Sequence, residues 1–132
     1  MPAGVFTHSI TKGYKSDEGS ITSVVSSITG DAEVGVESTL AVGATNTHFA
    51  IAVTKTQILA MVLYCSTSCT VKTNSSSSPQ DTIAIAAGAQ IVYEGSGASG
   101  AVIPFASDVT GFYVTNNDPK AGNFKFRALL TV

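Results

Sequence analysis

Phe124-Lys-Phe-Arg-Ala-Leu-Leu-Thr-Val132 alternates along its length. Phe124, Phe126, Ala128, Leu130 and Val132 fall on one face, while Lys125, Arg127 and Thr131 fall mostly on the other. A side-chain period of two marks a β-strand with one face against a core. Working back towards the N-terminus, the pattern recurs. Val109 to Thr115 reads as a strand stopped by Asn116-Asn-Asp-Pro119, a strong turn signal. Cys69 to Thr73, Thr82 to Ala86, Gln90 to Glu94 and Ala101 to Phe105 are short segments of the same kind, separated by Gly and by polar runs. Phe49, Ile51 and Val53 alternate with His48, Ala50, Ala52 and Thr54, and Lys55-Thr56 reads as a tight turn.

Gln57 to Cys65 differs, because Ile-Leu-Ala-Met-Val-Leu-Tyr is apolar on both faces. A strand of that kind is central and covered twice. A buried helix is the competing reading, and the short length between polar stretches favours the strand. Ile21 to Ile28 is a further strand with a turn at Gly30-Asp31. Val34 to Val42, interrupted by Gly35 and Gly43, reads as a poor or bulged one.

Roughly eight to ten short strands without crossover helices predict an all-β protein, a single antiparallel β-sandwich of jelly-roll type. Residues 1–19 are read as an N-terminal arm or an edge strand and residues 20–132 as the sandwich. In the first segment Val5, Phe6, Ile10 and Tyr14 are interleaved with His8, Lys12 and Lys15. Such a stretch suits the first strand of the sandwich, or an arm that adds a strand to a neighbouring subunit's edge.

Composition narrows the function. The chain has 132 residues, 44% hydrophobic and 12% charged, with 7 basic against 9 acidic side chains. That apolar content excludes a disordered chain, and the near-neutral balance argues against nucleic acid as a partner. No apolar run approaches the ~20 residues of a spanning helix, so no membrane partner is expected. The N-terminus shows neither a basic start nor a long apolar segment, so no signal peptide is visible. Ser and Thr fill 32 positions. A surface of hydroxyls and small side chains docks at little entropic cost. It suits a protein in constant contact with other subunits, although strand preference also explains the Thr.

A search for chemistry returns little. Gly95-Ser-Gly-Ala-Ser-Gly100 has no following helix to make a nucleophile elbow or a phosphate loop. His8 reads as an exposed or interface residue, and His48, opening a strand, as a cross-strand hydrogen-bond partner. Asp81, Asp108 and Asp118 sit where Asp caps backbone groups. Asp31, Glu33 and Glu37 lack the spacing of a calcium loop and read as a solvated turn. Asn74-Ser-Ser matches a glycosylation acceptor. Cys65 and Cys69 read as reduced, packed thiols, a bridge across the short turn being geometrically possible. With no Trp, and only Tyr14 and Tyr93 placed near a surface, a sugar-stacking platform is weakly signalled. No catalytic, cofactor or metal residue is expected, and the reading is of a protein that is not an enzyme.

Residues 57 to 132 resemble small virion proteins of tailed bacteriophages. The likeness is carried by Val71-Lys-Thr-Asn-Ser-Ser-Ser-Ser-Pro-Gln-Asp-Thr-Ile83, Pro104-Phe-Ala-Ser-Asp-Val-Thr-Gly-Phe-Tyr-Val-Thr-Asn116 and the Phe-Lys-Phe-Arg-Ala-Leu-Leu end. The whole profile is similar to that of head decoration, or cement, proteins. The resemblance implies a homotrimer on the outside of the head, made in the host cytoplasm, that clamps neighbouring major capsid proteins. Contacts are expected from Val5, Phe6, His8, Ile10 and Tyr14 of the N-terminal segment, and from Asn74, Pro79 and Gly97 of two loops. A carbohydrate-binding module of a tail or fibre and a major subunit of another assembly are the alternatives.

Overall fold

The structure is a computed structural model that describes residues 5–95 and 103–132. Its strands are β1 (Phe6–Ser16), β2 (Gly19–Gly30), β3 (Ala32–Leu40), β4 (Thr47–Val53), β5 (Ile58–Cys65), β6 (Cys69–Thr73), β7 (Thr82–Ile85), β8 (Gln90–Glu94), β9 (Val109–Asn116) and β10 (Gly122–Leu130). Two four-stranded antiparallel sheets, β3-β10-β5-β8 and β4-β9-β6-β7, pack face to face. The chain is an all-β sandwich. The partners are nested: β3 with β10, β4 with β9, β5 with β8 and β6 with β7, as if one long hairpin had been folded over itself.

The alternating sequence explains the layers. In β10, Phe124, Phe126, Ala128 and Leu130 are buried, and their neighbours across the ladders, Leu63 and Met61 on β5 and Val36 and Val34 on β3, share that face. Phe112 from the opposite sheet meets both Phe124 and Phe126 edge-on, with ring centroids 5.8 and 4.9 Å away. Edge-to-face rings at such distances add to the area buried. β5 lies inside its sheet, as its two apolar faces predict.

Several expectations are corrected. β3 is regular, pairing with β10 without a shift from Ala32 to Leu40. Gly35 is no defect there: an added Cβ would stand 3.0 Å from the Phe126 carbonyl, a tight approach that glycine relieves. The shifts fall elsewhere, between Ala50 and Val53 and between Leu129 and Leu130. Ile103 to Phe105 is irregular rather than a strand, although Phe105 is buried, and residues 101–102 lie outside the described residues. Lys55–Gln57 forms a turn of 3-10 helix.

Cys65 and Cys69 are joined in a disulfide. Both sulfurs are buried in the core at the end of β5 and the start of β6, and the turn between them brings the Cα atoms to 6.5 Å. That spacing admits a bridge, and the bond ties one sheet to the other. The expected reduced pair neglected that the two strands belong to facing sheets.

The division at residue 19 also differs. β1 is no edge strand of the sandwich: it pairs only with β2, and the two form a hairpin outside both sheets. Gly19, with φ of +122°, takes a conformation that side chains disfavour and closes the hairpin turn. The break in chain direction falls instead at Asp31, between β2 and β3.

Candidate interaction surface

The hairpin lies against the outer face of the β3-β10-β5-β8 sheet. On β1, His8, Ile10 and Lys12 are half-buried, while Thr7, Ser9, Thr11 and Gly13 between them are exposed. One edge of the ladder pattern supplies the floor. Glu33 pairs with Leu129, Leu129 with Ala60, and Ala60 with Glu94, so these four residues form a row straight across the strands. His8 Nε2 is 2.8 Å from Glu33 Oε2 at one end of the row. Lys12 Nζ is 2.8 Å from Glu94 Oε2 at the other.

The spacing fits simple geometry. Three steps between neighbouring strands span roughly 14 Å, and four residues of extended chain rise roughly 13 Å. A strand crossing a sheet at right angles therefore meets the two ends of such a row with residues four apart. Leu129 and Ala60, though on the outer face, are fully covered. The hairpin is what covers them: Gly30 passes so close that an added Cβ would fall 2.6 Å from the Leu130 carbonyl and 2.8 Å from Leu129 Cγ. Only glycine fits that crossing.

The electrostatics hold the arm at both ends. Glu33 also accepts a hydrogen bond from Arg127 Nη1 at 2.7 Å. Its carboxyl is held below the usual range, chiefly by the His8 hydrogen bond and then by the Arg127 charge, against the opposing effect of burial. Glu94 is nearly buried, and its carboxyl is lowered chiefly by the hydrogen bond from Lys12, with Ser26 on β2 assisting. A buried carboxylate needs such a partner, and the hairpin supplies it.

Beside β1 a cleft of about 430 Å³ opens between the arm and the sheet, with Ile10 on one wall and Val62, Val92 and Arg127 on the floor. Of six large hydrophobic residues exposed among the described residues, Val5, Phe6, Tyr14 and Val25 belong to the arm segment. Tyr14 follows Lys12 on the same face of β1, past the last strand the arm crosses, and is 60% exposed. Exposed large apolar side chains concentrated on one element point to a contact surface.

The other sequence-derived residues divide clearly. Val5, Phe6 and Tyr14 are at the surface, whereas His8 and Ile10 turn towards the sheet, so His8 is an anchor and not a free group. Asn74, with φ of +69°, donates to the Asp108 carbonyl and accepts from the Thr110 amide, which commits its side chain inside the fold. Pro79 is half-buried in the same loop, which Asp81 ties to the Ala106 amide. Gly97 lies outside the described residues. Asp108 and Asp118 accept from the Lys55 and Ser68 amides, the expected capping roles. Glu33 and Glu37 stand on β3 beside Arg127 and Lys125 rather than in a solvated turn. His48 stacks on Tyr113, its partner across the ladder, with ring centroids 4.5 Å apart, and among the described residues its side chain makes no hydrogen bond. Tyr93 pairs with Met61 and packs against the core.

Sequence reasoning missed Glu94, Arg127 and Leu129 as parts of this surface. Leu129 was the available signal, an apolar residue at an outward position of an otherwise alternating strand. Among the described residues no group of His, Cys, Asp and Glu side chains could hold a metal ion, and no helix is long and apolar enough to cross a membrane. No family model, curated protein or solved structure matches the chain.

Proposed function

We propose that the protein is a structural subunit of a bacteriophage virion, a capsid decoration protein that works by its surface and not by catalysis. In this reading it forms a homotrimer on the outside of the head and binds the major capsid protein. One observation carries the reading: the hairpin stands outside both sheets and bears three of the six exposed large hydrophobic residues among those described, with a fourth, Val5, immediately before it. A rigid body with an arm laid on its outer face and apolar side chains left exposed on that arm suits a clamp, whose strength comes from modest contacts repeated by symmetry. The nested strand pairing is read as a jelly-roll wrap, an architecture used by capsid proteins. The bonded Cys65 and Cys69 suit a virion surface, one of the oxidising settings in which disulfides persist.

The test is immunogold labelling of intact particles from the culture in which the chain is made. Antibody against the purified protein is expected to decorate heads at regular positions. Label confined to soluble protein would overturn the reading.

A carbohydrate-binding module of a tail or fibre is the second reading. It is favoured by the His48–Tyr113 stack, which places an aromatic pair on the outer face of the β4-β9-β6-β7 sheet. Aromatic faces pack well against the apolar face of a sugar ring. Saturable glycan binding abolished by Tyr113→Ala, with heads unlabelled, would establish this reading in place of the first.

A further inference from the structure

We propose that the β1–β2 hairpin is an exchangeable arm: it docks on the outer face of its own β3-β10-β5-β8 sheet, and equally on the same face of a second copy of this chain. This rests on the reading of the protein as a self-assembling subunit and names the contact through which it assembles.

Five observations point to exchange. The hairpin is complete in itself, since each of its strands pairs only with the other. It is joined to the sandwich by one residue, Asp31, between the end of β2 at Gly30 and the start of β3 at Ala32. A connection that short is the kind that favours swapping. Asp31 is itself held to β10, its amide donating to the Leu130 carbonyl at 3.0 Å and its Oδ1 accepting from the Val132 amide at 2.8 Å. The joint can therefore turn at Gly30 while Asp31 keeps its place.

The docking site is complementary to this arm by charge and by length. It offers acidic groups at the two ends of the Glu33–Leu129–Ala60–Glu94 row, and the arm offers His8 and Lys12 at the matching interval. A second copy carries the same arm and the same row, so the His8–Glu33 and Lys12–Glu94 contacts made within one chain can be made between two. Docking within one chain also leaves the arm's apolar side incompletely used. Phe6 and Tyr14 lie on the same face of β1 as His8, Ile10 and Lys12, yet remain 38% and 60% exposed. A neighbouring body beside the arm would cover them. Exchange thus retains the His8–Glu33 hydrogen bond and the Lys12–Glu94 ion pair and adds apolar burial.

Charge reversal tests this directly. In Lys12→Glu two carboxylates meet at the end of the row, and in Glu94→Lys two ammonium groups do, so neither variant docks its arm on any copy of itself. In a reciprocal exchange between the two variants, each arm finds an oppositely charged partner. One interface has the charges reversed and the other has them as in the natural chain. Each variant alone is expected at the mass of a single chain by light scattering. The two refolded together with the disulfide intact are expected at twice that mass, since every exchanged contact needs one chain of each kind. A mixture that stays at the single-chain mass would overturn the proposal, and so would variants that assemble equally well alone. Lys12→Glu/Glu94→Lys in one chain checks folding, since it restores the pair and is expected to assemble as the natural chain does. Failure here with decorated heads would discard the exchange and keep the virion role. Assembly here with unlabelled heads would do the reverse.

Discussion

Leu129 shows how one side chain reports a tertiary contact. It stands on the face of β10 that otherwise carries Lys125 and Arg127, and it is fully buried because the hairpin crosses above it. At a solvated position, Leu→Ala would change stability by about 0.5 kcal/mol or less. At a buried one the loss is about 2–5 kcal/mol. Leu129→Ala is therefore expected to lose at least about 2 kcal/mol in a urea melt, and a loss within the surface range would mean that the arm does not cover it. Gly30 makes the same point from the opposite side, since its value lies in the side chain it lacks. Neither role is visible in a sequence window, because each depends on a neighbour far along the chain.

At the scale of elements, β6 and β8 occupy Cys69–Thr73 and Gln90–Glu94, the spans their sequence predicts, because short alternating runs between turn residues leave little choice. The hairpin was harder to read. Thr7, Ser9 and Thr11 on its open side are matched by His8 and Lys12 on its docked side, so polar residues occur on both faces and the period of two is blurred. Its docking is written in charge rather than in hydrophobicity, and that makes it dependent on pH. Both anchoring carboxyls, Glu33 and Glu94, are held below their ordinary value of 4.5 when docked, by His8 and Arg127 on one and by Lys12 on the other. The undocked arm leaves them to bind protons more readily. Docking is therefore at full strength above the ordinary value and is lost as pH falls through the lowered ones. The Ile10 methyl resonances are expected to stay constant from neutral pH down to the carboxylate range and to shift below it. Release already complete near neutral pH would contradict the assignment.

Across the whole molecule, the nested order joins strands remote in sequence, with β3 against β10 at the outside and β6 against β7 at the inside. All-β folds built from such distant pairings form slowly. The all-β class was legible because inward positions such as Phe124, Phe126 and Val114 recur at period two. The disulfide was not, since spacing alone could not place Cys65 and Cys69 on facing sheets. With only three residues between them, the bond constrains a short loop, for which chain entropy gives about 2 kcal/mol. Cys65→Ser/Cys69→Ser is expected to fold with a stability lower by about that amount in denaturant melts. An unchanged midpoint would show that the bond adds nothing.

The central claim is that this sandwich works by assembling through its arm. It is tested most directly by the solution mass of the full chain across a concentration series, beside that of Phe6→Ser/Tyr14→Ser. The natural chain is expected to form an oligomer, and the variant to remain a single folded chain. A natural chain that stays monomeric at high concentration, or a variant that assembles equally well, would contradict the claim.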